Sequence, residues 1–434
     1  MINVMLVGGG AREDAICRKL VEDGAVIHAA LSNLNPSIVS MAENIFVVKE
    51  TDSEALLRYA VRNQADLVFV SPDSALETDL VDRLLERGIR VASPSRRAAR
   101  IETSKAFMRE LVDRHRIPGQ ISNRVFESPE GLEKYFHDLG GEYVIKPIGL
   151  TGGKGVKVKG DHFASDEEGL KIADSLIKKD GHVLIERKVY GQEFSLQAFC
   201  DGSSLFFMPV AQDYKRALEG DLGPNTGGMG SITSSDHGLP FLTSESVEMA
   251  KETMRQVASS LRKEGSDFHG VLYGQFMFTG SETLIIEVNA RFADPEGINA
   301  IFLMQGSLLE TLFGIADGSI RNRISFESKS TVLKYVVPPG YGTAPKVVDL
   351  TVQVDKFRSN PCLYYASVSG SMAKVKTTSS RALAVIASAD KIWEASRKIE
   401  NSLEWISGNY YHRRDIGARE SIAAKMKSTR IRAS

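Results

Sequence analysis

Short apolar runs VMLV, AVIHAAL, IFVV, LVFV and IRVA alternate with helical patterns such as EALLRYAVRN and LVDRLLERG through the first hundred residues. That alternation predicts a parallel sheet with flanking helices. The first run leads directly into Gly8, Gly9 and Gly10 and a helix beginning near Arg12, an arrangement that offers backbone amides at a helix N-terminus to an anion. A dinucleotide site would want an acidic residue about 20 positions on, at the end of the second strand, and Ala29 to Asn35 supplies none. The stretch SPSRRAARIETSKAFMRELVDRHRIP predicts a helix ending at Pro118, after which the pattern changes to short strands and hairpins: YVIKPI, GVKVKG and VLIERKVYGQEFSLQAFC. This shift places a boundary near residue 100. A loop-rich segment DYKRALEGDLGPNTGGMGS follows, then a long helix from Ser244 to about Lys263, then strands VLYGQFMF and TLIIEVNARF. From Thr331 the chain is strand-rich again and closes with the helix KIWEASRKIENSLEWI. The expectation is a mixed α/β and α+β multidomain protein: an N-terminal α/β domain over 1–100, a central domain over 101–325 and a small α+β C-terminal domain over 326–434.

Composition narrows the chemistry. With 54 basic against 55 acidic residues the formal net charge is -1, which gives no electrostatic footprint for nucleic acid or a membrane surface. Small-molecule substrates are the expectation. Cys17, Cys200 and Cys362 are scattered, form no C-x-x-C clip, and read as buried thiols in a reducing cytosol. The opening MINVMLVGGG has no charged leader, and no window sustains the roughly 18 apolar residues of a membrane helix. A cytoplasmic location follows as an expectation, and the basic tail KMKSTRIRAS reads as a frayed, solvated end.

The glycine run KPIGLTGGKGVKV, Lys146 to Val158, points to phosphate, yet it is not a P-loop. A P-loop needs a helix after the glycines and a hydroxyl after the lysine; here Gly155 follows Lys154 and alternating VKVKG comes next. The run therefore joins two strands, where it can fold over a triphosphate as a lid. Backbone amides of Gly152, Gly153 and Gly155 can approach the phosphates, and Lys154 adds a mobile charge. Lys146, inside YVIKPI, would point under the loop, although a lysine on an edge strand is the bland alternative. Glu186 at a strand end and Glu193 beyond a glycine turn can accept from adenine and ribose donors, or be merely solvated.

In IIEVNARFADPE, Glu287, Asn289 and Arg291 share one strand face, opposite the apolar Ile286, Val288 and Ala290. A carboxylate and an amide oxygen form a hard-oxygen set suited to Mg²⁺ bridging nucleotide phosphates. Arg291 could stabilise charge on a transferred phosphoryl group or clamp a carboxylate. An exposed edge strand with a salt bridge is the structural alternative.

GGGARED, PSRRAARIETSKAFM, KPIGLTGGKGVKV, ERKVYGQE, AQDYKR with GPNTGGMGS, EVNARFADPE and the late YHRRDIG together resemble the ATP-grasp carboxylate-amine ligases, and among them the phosphoribosylamine-glycine ligase family. The resemblance runs from Gly8 to Gly417. It implies that residues 101–325 form an ATP-grasp domain with a lid subdomain over about 118–190. It further implies that Lys105 and Lys146 hold the nucleotide phosphates, that Glu186 lies near adenine, that Glu193 takes the ribose hydroxyls, and that Glu287 with Asn289 binds Mg²⁺ or Mn²⁺. Many ATP-grasp enzymes carry a third acidic ligand on the neighbouring strand, where this chain offers Gln275. The implied reaction uses ATP to convert glycine to glycyl phosphate, which the amine of 5-phosphoribosylamine then attacks. Lys154, Arg291 and Asp213 are the candidate catalytic groups; Gly8, Gly9, Gly10 and Arg12 would hold the ribosyl phosphate, with Asp213, Asn225, Gly228, Gly230 and Arg291 lining the remaining site. A monomer is expected, a homodimer being the alternative. The chain departs from the family at Ala11, Asp14, Ser71, Asp73, Ala75, Tyr214 and Ala293. The altered N-terminal motifs keep open one rival, another ATP-grasp ligase or carboxylase of purine metabolism; a second is a silent nucleotide-binding sensor, against which the retained Lys146, Lys154, Glu287, Asn289 and Arg291 argue.

Overall fold

A computed structural model describes residues 1–150 and 155–433, with side chains described to 429. Its N-terminal sheet is all parallel, in the order Asn44–Val47, Ala25–Leu31, Ile2–Val7, Leu67–Val70, Arg90–Val91. The central strand carries Val4, Met5, Leu6 and Val7 without solvent exposure, as a strand covered on both faces requires. Helix Ala11–Glu22 packs beside it and supplies Ile16, Cys17 and Leu20 to the core.

The expected helix ending at Pro118 is instead two helices, Arg96–Thr103 and Lys105–Arg114. Ser104 divides them because its hydroxyl accepts from the Phe107 amide, capping the second helix and ending the first. This places Lys105 at the first helical position, beside the glycine hairpin.

Beyond it a small antiparallel layer runs Asn123–Phe126, Val183–Arg187, Tyr143–Lys146, Lys157–Val158, backed by helices Leu132–Asp138 and Asp166–Asp180. It has a core of its own, built on Phe126, Phe136, Tyr143, Phe163 and Ile185 and separate from the main one. A second antiparallel sheet, Leu205–Phe207, Gln192–Asp201, His269–Phe278, Thr283–Asn289, rests on the long helix Ser244–Lys263.

The C-terminal sheet runs Gln212–Asp213, Gly230–Thr233, Ser330–Val336, Leu383–Ala389, Cys362–Tyr365. Its first two strands come from the middle of the chain, so the loop-rich stretch after residue 210 is stitched to the C-terminal segment by a ladder that no local pattern announces. The tail is also more ordered than expected. Residues Arg419–Ala433 form a helix, anchored by Lys425 against Asp221 at 3.3 Å and by the Gln192 amide donating to Ser428 at 3.0 Å.

Candidate active site

Val144 pairs with Val158 and Ile145 with Lys157, so the glycine run does join two antiparallel strands. Gly152, Gly153 and Lys154 lie outside the described residues, and Gly155 is the first described position after them. At the root of the hairpin the Lys105 amide donates to the Ile148 carbonyl at 3.0 Å and its Nζ to the Gly149 carbonyl at 2.8 Å. Lys105 has a lowered pKa, chiefly through burial, with Glu287 working the other way.

Lys146, the last residue of the Tyr143–Lys146 strand, has Nζ 2.5 Å from Glu186 Oε2, while Arg109 Nε donates to Oε1 at 2.7 Å. Burial opposes the Glu186 charge, but Arg109 and Lys146 outweigh it and hold the carboxyl down to about 2. Glu186 is thus a buried counter-charge that fixes Lys146 rather than a solvated acid.

The Thr283–Asn289 strand explains how its polar face arises. Phe276 pairs with Ile285 and Gln275 with Glu287, leaving Ile286 as the extra residue of a β-bulge. In a regular strand Ile285 and Glu287 would share a face. The bulge separates them: Ile285 stays with Phe276 and Phe194 in the core, while Glu287 and Asn289 join Gln275, Tyr273 and Glu193 on the opposite face. Asn289 Nδ2 donates to Glu287 Oε1 at 3.4 Å. Burial acts against the Glu287 charge, yet Lys215, Lys146 and Lys105 together keep it below the usual carboxylate range. Arg291 lies past the strand end, where Glu102 meets its Nη2 at 3.1 Å and also accepts from the Ala290 amide at 2.7 Å.

Among the described residues no group of three or more His, Cys, Asp or Glu forms a metal cage. One ionised carboxylate and one amide oxygen nevertheless fit magnesium, which takes few protein oxygens and completes its shell with water and substrate phosphates. Gln275 offers less than the sequence suggests. Its Oε1 accepts from the Tyr273 hydroxyl and its Nε2 donates to Glu193 at 2.9 Å, so the amide orients two neighbours. Glu193 also meets Lys215 Nζ at 3.0 Å.

Asp213 sits beyond this face with Oδ1 buried and without a hydrogen-bond partner. Burial, then the nearby Glu296, raises its pKa well above the ordinary range. Gly228 backs onto it at φ +102°, and a Cβ there would stand 2.7 Å from Asp213 Oδ1. Gly230 serves the sheet instead, since a Cβ would fall 2.2 Å from the Leu333 carbonyl oxygen. Asn225, half-buried, pairs with Arg216 in a two-stranded ribbon.

The glycines at the first helix need correction as an anion cradle. The Gly8 amide donates to Ala30 at 3.0 Å, and the Gly10 amide to Glu13 Oε2 at 2.7 Å. Glu13, held ionised by Arg12 and Ser71 against its burial, already supplies the negative charge this helix start favours. Arg12 is equally committed: it donates to Glu13 at 2.6 Å, the Phe292 carbonyl at 2.7 Å and the Ser71 carbonyl at 3.2 Å. It clamps the N-terminal layer to the loop after the Thr283–Asn289 strand. Two departures also turn out to be structural. Asp14 accepts from Arg18, from the Ser37 hydroxyl at 2.7 Å and from the Tyr365 amide at 2.8 Å, while Tyr214 is buried between Arg413 and Lys425.

Sequence reasoning missed Glu102, Arg109, Lys215, Asp294, Glu296 and Arg381. Lys105 and Arg109 stand one helical turn apart, and Lys215 is two residues from Asp213, so those carried a weak local signal. Arg381 carried none.

The comparisons with known proteins cover the chain in three consecutive pieces. The family models described as Phosphoribosylglycinamide synthetase N domain, ATP-grasp (A) domain and C domain match residues 2–102, 103–297 and 331–419. A phosphoribosylamine–glycine ligase of Methanothermobacter thermautotrophicus is 43% identical over 433 residues, covering 98% of both chains. One from Pyrococcus horikoshii is 41% identical over 429 residues, covering 98% of this chain and 97% of that one. The crystal structure of a phosphoribosylamine–glycine ligase from Thermotoga maritima superposes with TM-score 0.80 at 25% identity, covering 96% of this chain and all of that one. A biotin carboxylase domain from Hydrogenobacter thermophilus, solved with MgADP and bicarbonate, shares the fold at TM-score 0.75 and 14% identity, covering 98% of this chain and 93% of that one.

Proposed function

The chain belongs to the phosphoribosylglycinamide synthetase family, and from that premise we propose how its residues divide the work of the reaction. It is a ligase that uses ATP to join glycine to 5-phosphoribosylamine in purine biosynthesis. The observation that carries the residue assignment is the convergence of Lys105, Lys146 and Lys215 on one ionised carboxylate, Glu287.

Lys105 and Lys146 hold the nucleotide phosphates, together with Lys154, Gly152, Gly153 and Gly155. Glu193 takes the ribose hydroxyls, and Glu186, paired with Lys146, lies near the adenine. Glu287 and Asn289 hold magnesium, or manganese in its place, whose charge when bound offsets that of the phosphate oxygens. A glycine carboxylate oxygen attacks the γ-phosphorus, and the bond to ADP breaks. Arg291, oriented by Glu102, stabilises the charge that develops. The amine of 5-phosphoribosylamine then attacks the acyl carbon of glycyl phosphate, releasing phosphate. Asp213 Oδ1, buried without a partner, receives the proton the amine sheds. Exclusion of water from the site protects the acyl phosphate from hydrolysis. Gly9, whose amide is not taken by Ala30 or Glu13, is the remaining candidate of the first glycines for the ribosyl phosphate. No described helix is long and apolar enough to cross a membrane, and we propose a cytoplasmic monomer.

The test is phosphate release from ATP with phosphoribosylamine generated in place. Stimulation by glycine is the expected result. Stimulation by bicarbonate or formate instead would overturn the substrate assignment.

A further inference from the structure

Arg109 is 1% exposed, among the largest side chains that the fold buries completely. It stands one turn after Lys105 on the Lys105–Arg114 helix, and each of its three guanidinium nitrogens has a separate acceptor. Nε donates to Glu186 Oε1 at 2.7 Å, Nη1 to the Ile285 carbonyl at 2.9 Å, and Nη2 to the Ile286 carbonyl at 3.0 Å.

Those two carbonyls belong to the β-bulge that carries Glu287 to the site face. A bulge interrupts the ladder and leaves backbone groups without cross-strand partners, and a buried carbonyl without a partner is costly. Were the bulge to relax into a regular strand, the one-residue slip would send Glu287 toward the face now held by Ile285. The planar fork of arginine can meet two adjacent carbonyls and a carboxylate at once; the single point charge of lysine cannot reproduce that geometry.

We propose that Arg109 is a positioning residue that holds the bulge at Ile285 and Ile286, and so keeps Glu287 and Asn289 on the metal-binding face in register with Lys146. The inference rests on the reading of Glu287 as a metal ligand. Arg109 touches neither substrate nor metal; it acts through the strand on one side and through Glu186 on the other. Lysine placement and metal-ligand placement are thereby tied to one buried cation.

The test uses the full-length protein and calorimetric titration of ATP, once with excess Mg²⁺ and once with EDTA, so that the readout is binding and not turnover. Arg109→Gln leaves Glu186 paired with Lys146 and buries no unbalanced charge. It is expected to lower the Mg²⁺-dependent gain in ATP affinity about tenfold while leaving affinity in EDTA within about twofold of wild type. If it does not fold, Arg109→Lys is read by the same criteria. Glu186→Gln, which spares the two carbonyl bonds, is expected to do the reverse: weaken binding in EDTA through Lys146 and retain the Mg²⁺-dependent gain. Equal losses with and without Mg²⁺ in the Arg109 variant, an undiminished gain, or loss of the gain in Glu186→Gln would each overturn the inference. Glu287→Ala separates the two readings. If it keeps the gain, the metal assignment fails; if it loses the gain while the Arg109 variant keeps it, the positioning role alone fails.

Discussion

Arg381 Nη2 donates to Asp294 Oδ2 at 2.9 Å, across 87 residues of sequence, while its Nη1 meets the carbonyl oxygens of Gly227, Gly228 and Asp294. The guanidinium lies 4.4 Å from the centroid of the Tyr335 ring, whose hydroxyl donates to the other Asp294 oxygen at 2.5 Å. One C-terminal arginine therefore holds both the GGMG loop and the loop after the Thr283–Asn289 strand. Replacing it by alanine leaves a partly buried carboxylate without its cation, a change that costs about 1–3 kcal/mol. Arg381→Ala should lower Tm and raise KM for glycine and phosphoribosylamine, with the Kd of ATP held within about twofold. Steady-state kinetics beside nucleotide titration checks the split.

Gly228 tests the space around Asp213. At φ +102°, with Asp213 Oδ1 and Pro295 Cδ each 2.7 Å from an added Cβ, Gly228→Ala meets both backbone strain and contact. A stability loss of about 1–3 kcal/mol is expected, together with a fall in kcat. Denaturant unfolding and turnover assays measure the two effects.

Asp213 makes a pH prediction. Its folded pKa lies above its unfolded value because burial and Glu296 disfavour the charge. The unfolded chain therefore releases this proton at lower pH, and the native state loses stability as pH rises from the ordinary carboxylate range through the folded pKa. Asp213→Asn removes that loss. Thermal unfolding should show the variant more stable than wild type near pH 8, with the gap closing as pH falls toward 4, while ligase activity drops by about 10²-fold or more.

Lys146 and Glu186 separate binding from stability. Lys146→Met removes the charge proposed to face the nucleotide phosphates but leaves Glu186 paired with Arg109. Its affinity for ATP in EDTA should fall about tenfold or more, with Tm close to wild type. An unchanged Kd would remove Lys146 from the nucleotide site.

The cysteines should be inert in the folded protein. Cys17 and Cys200 are buried and their thiols pushed up to about 12, chiefly by burial, and Cys362 is raised for the same reason. An aromatic disulfide reagent should label none of the three until denaturant is added.

Much of this protein is legible in local sequence. Alternating runs specify the parallel sheet, the VKVKG alternation after the glycines specifies a hairpin, and Glu287 with Asn289 marks a strand with a polar face, because each signal lies within a few consecutive residues. Tertiary structure alone decided which face that strand presents, since the register shift at Ile286 appears only in its pairing with His269–Phe278, and the Ile286 carbonyl accepts from Arg109, 177 residues away in sequence. It likewise decided that Gly8, Gly10 and Arg12 serve packing, and that Glu186 is a counter-charge. Periodicity reports how a segment meets its immediate neighbours. Hydrogen-bond donors and buried charges find partners across the fold, and only the folded chain shows which are already taken.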